Sequence, residues 1–266
     1  MTGIFAYEFM QRALAAGLIV GVVAPTIGLF LTVRRYSMIS DTLSHVALAG
    51  VALGLLVGVH PAVGALFATL GAALVIERIR QSGSYSGDSL LALILNGSLA
   101  LAVVVMGITK SFNAGVLGYL FGNIVTVSPA DLALIAISGA VALAAVILLY
   151  KELFYVSSDE EVAAAQGLNV GLLNFVLVAT AALVISASMR VVGVLLIGAL
   201  MVIPVLAAMN VARSFLGALA VAVVFSVLSV LIGLVGSFEL NLASGGTIVL
   251  VSMVFFASSF AFKRTG

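Results

Sequence analysis

Ala13–Val33 reads ALAAGLIVGVVAPTIGLFLTV, 21 residues without a charge. At 1.5 Å per residue a helix of that length measures about 31 Å, close to the ~30 Å hydrocarbon core of a bilayer. The run is too long for the apolar core of a cleavable leader alone, and no small-residue cleavage site with a polar mature region follows it. The rest of the chain has the same character: 64% of its 266 residues are hydrophobic and 8% are charged, with a mean hydropathy of +1.35. A water-facing domain usually carries about 25% charged residues. Too few charges are present here to coat such a surface, so lipid is the main solvent and the expected fold is an all-α, polytopic transmembrane bundle.

Outward from that first run, nine apolar stretches approach spanning length: 10–33, 38–59, 62–79, 90–109, 131–149, 171–188, 191–209, 213–235 and 246–262. The shortest leave eight spans as the alternative. The basic residues set the orientation. With the N-terminus outside, Arg34, Arg35, Arg78, Arg80, Lys151, Arg213, Lys263 and Arg264 face the cytoplasm, and only Arg12, Lys110 and Arg190 lie opposite. The expectation is N-terminus out, C-terminus in, and a single domain over 1–266, since no linker or strong internal repeat divides the chain. There is no cysteine, which excludes disulfides and thiolate metal ligation. The net charge of +1 and the lack of a basic patch with interleaved aromatics give no reason to expect nucleic acid.

Two connections stand out. Lys110–Asp131, KSFNAGVLGYLFGNIVTVSPAD, is apolar in its middle but short and Gly-rich, and reads as a re-entrant or interfacial segment or as a surface loop. Lys151–Asn169, KELFYVSSDEEVAAAQGLN, is the most polar stretch. Ser157 or Ser158 would cap a short helix whose first turn carries Asp159, Glu160 and Glu161 at the positive dipole end, with Gly167 placed to stop it. Such a cytoplasmic helix suits a groove on another protein; a solvated connector is the plainer reading.

Ionisable residues inside apolar spans are the most informative. In YSMISDTLSHVALAGVALGLLVGV (36–59), Asp41 and His45 are four apart and share one helical face. For a helix entered near Tyr36, His45 lies roughly 13 Å along it, near mid-membrane. A central carboxylate costs about 2.5–3.5 kcal/mol on insertion. The pair would offset that cost by binding each other, or would line a hydrated path and offer one oxygen and one nitrogen to a divalent cation. These ligands suit zinc, manganese or ferrous iron without sharp discrimination. His60, before Pro61 in the external turn VGVHPAV, and Glu239, in the external loop GSFELNLASGG, are further candidates that read first as solvated loop residues. Pro204 frees a carbonyl within a span and is expected to kink it. The chain has no G-x-x-x-x-G-K-[ST] phosphate loop, no H-E-x-x-H and no G-x-S-x-G elbow, so it is not expected to be an enzyme or to hydrolyse ATP itself.

Five segments in order resemble the membrane permeases of ATP-binding-cassette importers for zinc, manganese and iron. RRYSMISDTLSHVALAGVALG (34–54) resembles the family's hallmark after the first span, and YLFGNI (119–124) its external Leu-Phe-Gly motif. SSDEEVAAAQGLN (157–169) is similar to its cytoplasmic coupling segment. VGVLLIGALMVIPVLAA (192–208) resembles its Gly/Leu span ending in proline, and ASGGTIVLVS (243–252) the small-residue start of its last span. Asn123 departs from the Asp common in that family, and SYSGDSLLALIL (84–95) matches only loosely.

The resemblance implies a multi-pass permease in the inner membrane of a prokaryote. It would pair with a second copy, with a cytoplasmic ATPase dimer and with an extracytoplasmic metal-binding protein or lipoprotein. It implies that Asp41 and His45 meet the transported metal, and that Asp159, Glu160, Glu161, Ala164 and Gly167 belong to the ATPase-coupling segment. D-T-L-S-H after R-R-Y-S is closer to the zinc-uptake branch than to manganese permeases, so Zn2+ is the expected cargo, with Mn2+ or Fe2+ as alternatives and no permanent cofactor.

Overall fold

A computed structural model describes residues 7–83, 86–109, 114–122 and 127–262. Among them there is no strand. The helices are α1 (Glu8–Val33), α2 (Met38–Val57), α3 (Pro61–Gln81), α4 (Gly87–Thr109), α5 (Ala114–Phe121), α6 (Pro129–Leu148), α7 (Tyr150–Ser158), α8 (Glu160–Ala165), α9 (Val170–Val192), α10 (Val194–Val211), α11 (Phe215–Leu240) and α12 (Ser244–Ser259), with a 3-10 turn at Phe260–Phe262.

Local chemistry sets the boundaries. Gly58 takes the left-handed conformation that ends α2, and Pro61 opens α3 at a position whose N–H would be unpaired anyway. Ser128 and Asp131 form a reciprocal capping box at the start of α6. Asn169 Oδ1 accepts from Leu172 N (3.1 Å) to cap α9, and Ser214 Oγ from Gly217 N (3.1 Å) to cap α11. Buried hydroxyls turn back onto their own helices, as Thr69 Oγ1 to Ala65 O (2.9 Å) and Ser44 Oγ to Ser40 O (2.8 Å), which leaves no lone polar group facing lipid there. Phe67, Leu93, Ile137, Ile147 and Leu250 stay exposed, as side chains bathed by lipid should.

Among the described residues, eight helices are long and apolar enough to cross a membrane, and α10 is a further, shorter apolar helix. At 18 residues it measures about 27 Å. It fills the centre of the bundle, with Ile197, Leu200, Met201 and Val205 fully buried. Its start packs on Gly122 and Gly245, and near its end Asn210 Nδ2 donates to Ser259 Oγ (2.9 Å) at the end of α12. It therefore runs the length of the bundle and continues through Pro204.

The bundle has two chemically distinct ends. At one, Phe30, Tyr150, Phe154 and Phe215 form a ring cluster beside the charged residues Arg34, Glu77, Arg80 and Glu160. At the other, Tyr7 and Phe9 pack with tilted rings near Phe238, Arg12 Nη1 donates to Val127 O (3.4 Å), and Arg190 pairs with Asp131 (3.2 Å). The first and last described residues thus emerge at opposite ends.

Some sequence expectations shift. α5 is a short helix packed on α9, α10 and α12, whereas Asn123 lies outside the described residues. In the polar connection the N-cap is Asp159, not Ser157 or Ser158: its Oδ1 accepts from Glu161 N and Val162 N (both 3.0 Å). The reason is that α7 runs on through Ser158, so the chain must break after it, and a carboxylate caps the restart. Gly167, at φ 85°, stops α8 as expected.

Candidate functional site

α2 carries Asp41 in its first turn and His45 one turn later. The pair lies in the first half of the helix, with His45 about 10 Å from Met38, because α2 starts after Ser37. Three neighbours fix this segment. Thr42 Oγ1 reaches across to Leu91 O on α4 (3.3 Å). On α10, Gly198 faces the first turn of α2: a Cβ built there would stand 3.6 Å from Asp41 Cα, an ordinary packing distance. On α3, Gly50 and Gly64 bring the two backbones together: a Cβ at Gly64 would stand 2.3 Å from Gly50 O.

His45 Nε2 and Asp41 Oδ1 are 3.9 Å apart, beyond hydrogen-bonding distance. Two ligands on a tetrahedral zinc, with bonds of about 2.1 Å, stand about 3.4 Å apart. A small side-chain rotation therefore brings the two atoms to metal-ligand spacing. The His45 side chain is 12% exposed and that of Asp41 54%, so the carboxylate faces out of the single chain while the imidazole is sheltered. His45 Nδ1 is buried without a hydrogen-bond partner among the described residues, so packing holds the ring.

His60 and Glu239 are not brought to this pair. His60 is the exposed N-cap of α3, past the far end of α2. It lines a cavity of about 230 Å³ with Ser128, Asp131, Ser186 and Arg190. Glu239 is exposed near the end of α11.

The polar segment divides by face. Asp159, Glu161, Val162, Ala164, Ala165 and Gly167 are exposed, while Ala163 is buried. Glu160 turns inward. Its carboxylate pairs with Arg34, accepts from Arg80 Nη1 at 3.2 and 3.1 Å, and is 3.4 Å from Asn174 Nδ2. Arg80 also reaches Glu77, through Nε at 3.2 Å and Nη2 at 3.1 Å. Burial alone would push the Glu160 carboxyl up, but the Arg34 and Arg80 guanidiniums outweigh it and hold the group below its usual range. Burial also pushes the neighbouring Tyr36 hydroxyl up to about 12. Nothing in the sequence joins Glu160 to residues as distant as Arg34 and Arg80. The i,i+3 spacing of Glu77 and Arg80 was the available signal.

Comparisons with known proteins cover almost the whole chain. Residues 6–263 match the profile of the ABC 3 transport family. The chain is 32% identical to the "High-affinity zinc uptake system membrane protein ZnuB" of Haemophilus influenzae, over 97% of this chain and 98% of that one. It is 31% identical to the "Manganese transport system membrane protein MntC" of Listeria monocytogenes, over 98% and 93%. The structure of "PsaBC from Streptococcus pneumoniae in complex with Fab" aligns with a TM-score of 0.87 at 31% identity, covering 97% of this chain and 93% of that one.

Proposed function

This chain belongs to the ABC 3 transport family, and on that premise we propose that its cargo crosses between Asp41 and His45 and is zinc. The chain is the membrane permease of an ATP-driven metal importer. ATP is hydrolysed on a partner ATPase, and an extracytoplasmic binding protein delivers the ion. The full 266 residues act as one permease domain in the inner membrane, with the charged end of the bundle in the cytoplasm.

The observation that carries the site is the pairing itself. A carboxylate and an imidazole stand one turn apart on a spanning helix, close to metal-ligand spacing yet not bonded to each other. The exposure of Asp41 supports a second copy. A carboxylate facing lipid is costly, and a two-fold partner would cover it and supply a second pair, making four ligands. Two ligands per chain hold an ion weakly enough to release it. The D-T-L-S-H form favours zinc; relatives named for manganese keep Mn2+, and with it Fe2+, as the alternative cargo. His60 lies at the delivering end, where it and Glu239 would meet the ion or its carrier first. The exposed face of α8, with Glu161 and Ala164, capped by Asp159 and ended by Gly167, is the docking surface for the ATPase.

Uptake of zinc by the reconstituted complex tests the site. Asp41→Ala and His45→Ala should each reduce it by about 100-fold or more, since losing even an outer-shell partner of a metal ligand costs about 10–100-fold. Wild-type rates in both variants would remove the site and leave the family membership intact.

A further inference from the structure

Among the described residues, Glu160, its side chain 40% exposed, is the acid of α8 whose carboxylate pairs with cations of this chain. It sits where three parts of the fold meet: Arg34 follows directly on α1, Arg80 ends α3, and Asn174 opens α9. The Arg34 side chain is only 8% exposed, and Asn174 is 2% exposed with its Oδ1 unpartnered among the described residues. These groups and the buried Tyr36 hydroxyl surround a cavity of about 50 Å³. A charge as buried as Arg34 is tolerated only while it is paired, so α8 is tied to the end of α1 by an interaction that is costly to break.

The connection from Arg34 to the metal pair is short and stiff. Arg35 adopts φ 55°, Tyr36 N donates to Leu31 O (2.8 Å), and Ile39 N donates to Tyr36 O (3.2 Å). Those bonds fold α1 directly into α2, whose first turn holds Asp41. Through Arg80 the same carboxylate grips α3, and α3 is locked to α2 by the Gly50–Gly64 approach. Displacing α8 therefore pulls on α2 from both sides.

We propose that Glu160, Arg34 and Arg80 are positioning residues that carry movement of α8 to the first turn of α2, so that the ATPase acts on the Asp41–His45 pair through this ion-pair cluster. The inference rests on the metal-permease reading above. The network moves as one piece. Its exposed neighbours are the surface the partner meets, while the Glu160 carboxylate is held by Arg34 and Arg80 of this chain.

The test uses the full reconstituted complex and measures zinc ions moved per ATP hydrolysed, with complex assembly recorded separately. Glu160→Gln should lower that ratio about 5-fold or more, the lower end of coupling between linked sites. Because Glu160→Gln strands the Arg34 charge, the double variant R34Q/E160Q is made beside it. It removes the link with no orphaned charge and leaves Arg80 paired with Glu77, and it should show the same loss. A purely structural role would lower yield or thermal stability and leave the ratio of assembled complexes unchanged; that result overturns the proposal. Hydrogen exchange on the wild-type complex is independent of folding in the variants. ATP binding should change exchange in 159–167 and 34–45 together, and a change confined to 159–167 also overturns the link. If the wild-type complex moves no zinc with ATP, the zinc assignment fails instead, and the same ratio is read with manganese.

Discussion

On the Glu160 carboxylate two guanidiniums and an amide converge, and that one residue joins helices far apart in sequence. Its pH behaviour follows from the sign of the shift. A carboxyl whose folded pKa lies below its usual 4.5 contributes stability that is fully present above that value. The contribution declines below it and is gone once pH falls through the folded value. Hydrogen-exchange protection of α8 should therefore be flat from pH 7 down to about 5 and fall only at more acid pH, and Glu160→Gln should abolish that dependence. At the same scale, Asp41 and His45 were legible in the sequence because hydrophobic composition makes any ionisable pair inside a span improbable. Arg34, Glu77, Arg80 and Glu160 were not. Each looks like an ordinary charge at a helix end, and only the fold brings together residues as far apart as 34 and 160.

At the scale of elements, hydropathy placed the long helices, because spanning a hydrocarbon core requires about 20 apolar residues in a row. It gave no warning of which helices are central. α1, α2, α9 and α10 form the interior, and small residues make their close contacts. A Cβ at Gly28 would lie 1.8 Å from Met201 O on α10. The obstacle is backbone, so the helices themselves must part. Gly28→Ala should lower the thermal stability of the purified permease in detergent by about 1–3 kcal/mol or more, from the cost of overpacking. Gly71→Ala, which meets nothing within 4 Å, should be neutral by the same measurement. The α7–α8 break also escaped the sequence reading, since serines and an aspartate compete for one cap and only the length of α7 decides between them.

For the whole molecule, the first and last described residues lie at opposite ends of the bundle, and the proposed orientation puts the charged end, rich in basic residues, in the cytoplasm. The absence of native cysteine makes this directly testable. Lys151→Cys and Leu242→Cys stand exposed at opposite ends of the bundle. A membrane-impermeant maleimide should label position 242 in intact spheroplasts and position 151 only after permeabilisation; the reverse pattern would invert the orientation. The central claim concerns where the ion passes, and zinc anomalous scattering from the assembled, metal-soaked complex reads it most directly. The expected result is a peak within about 2.0–2.2 Å of both His45 Nε2 and an Asp41 carboxylate oxygen. A zinc peak elsewhere along the pathway, with this pair empty at saturating metal, would contradict it.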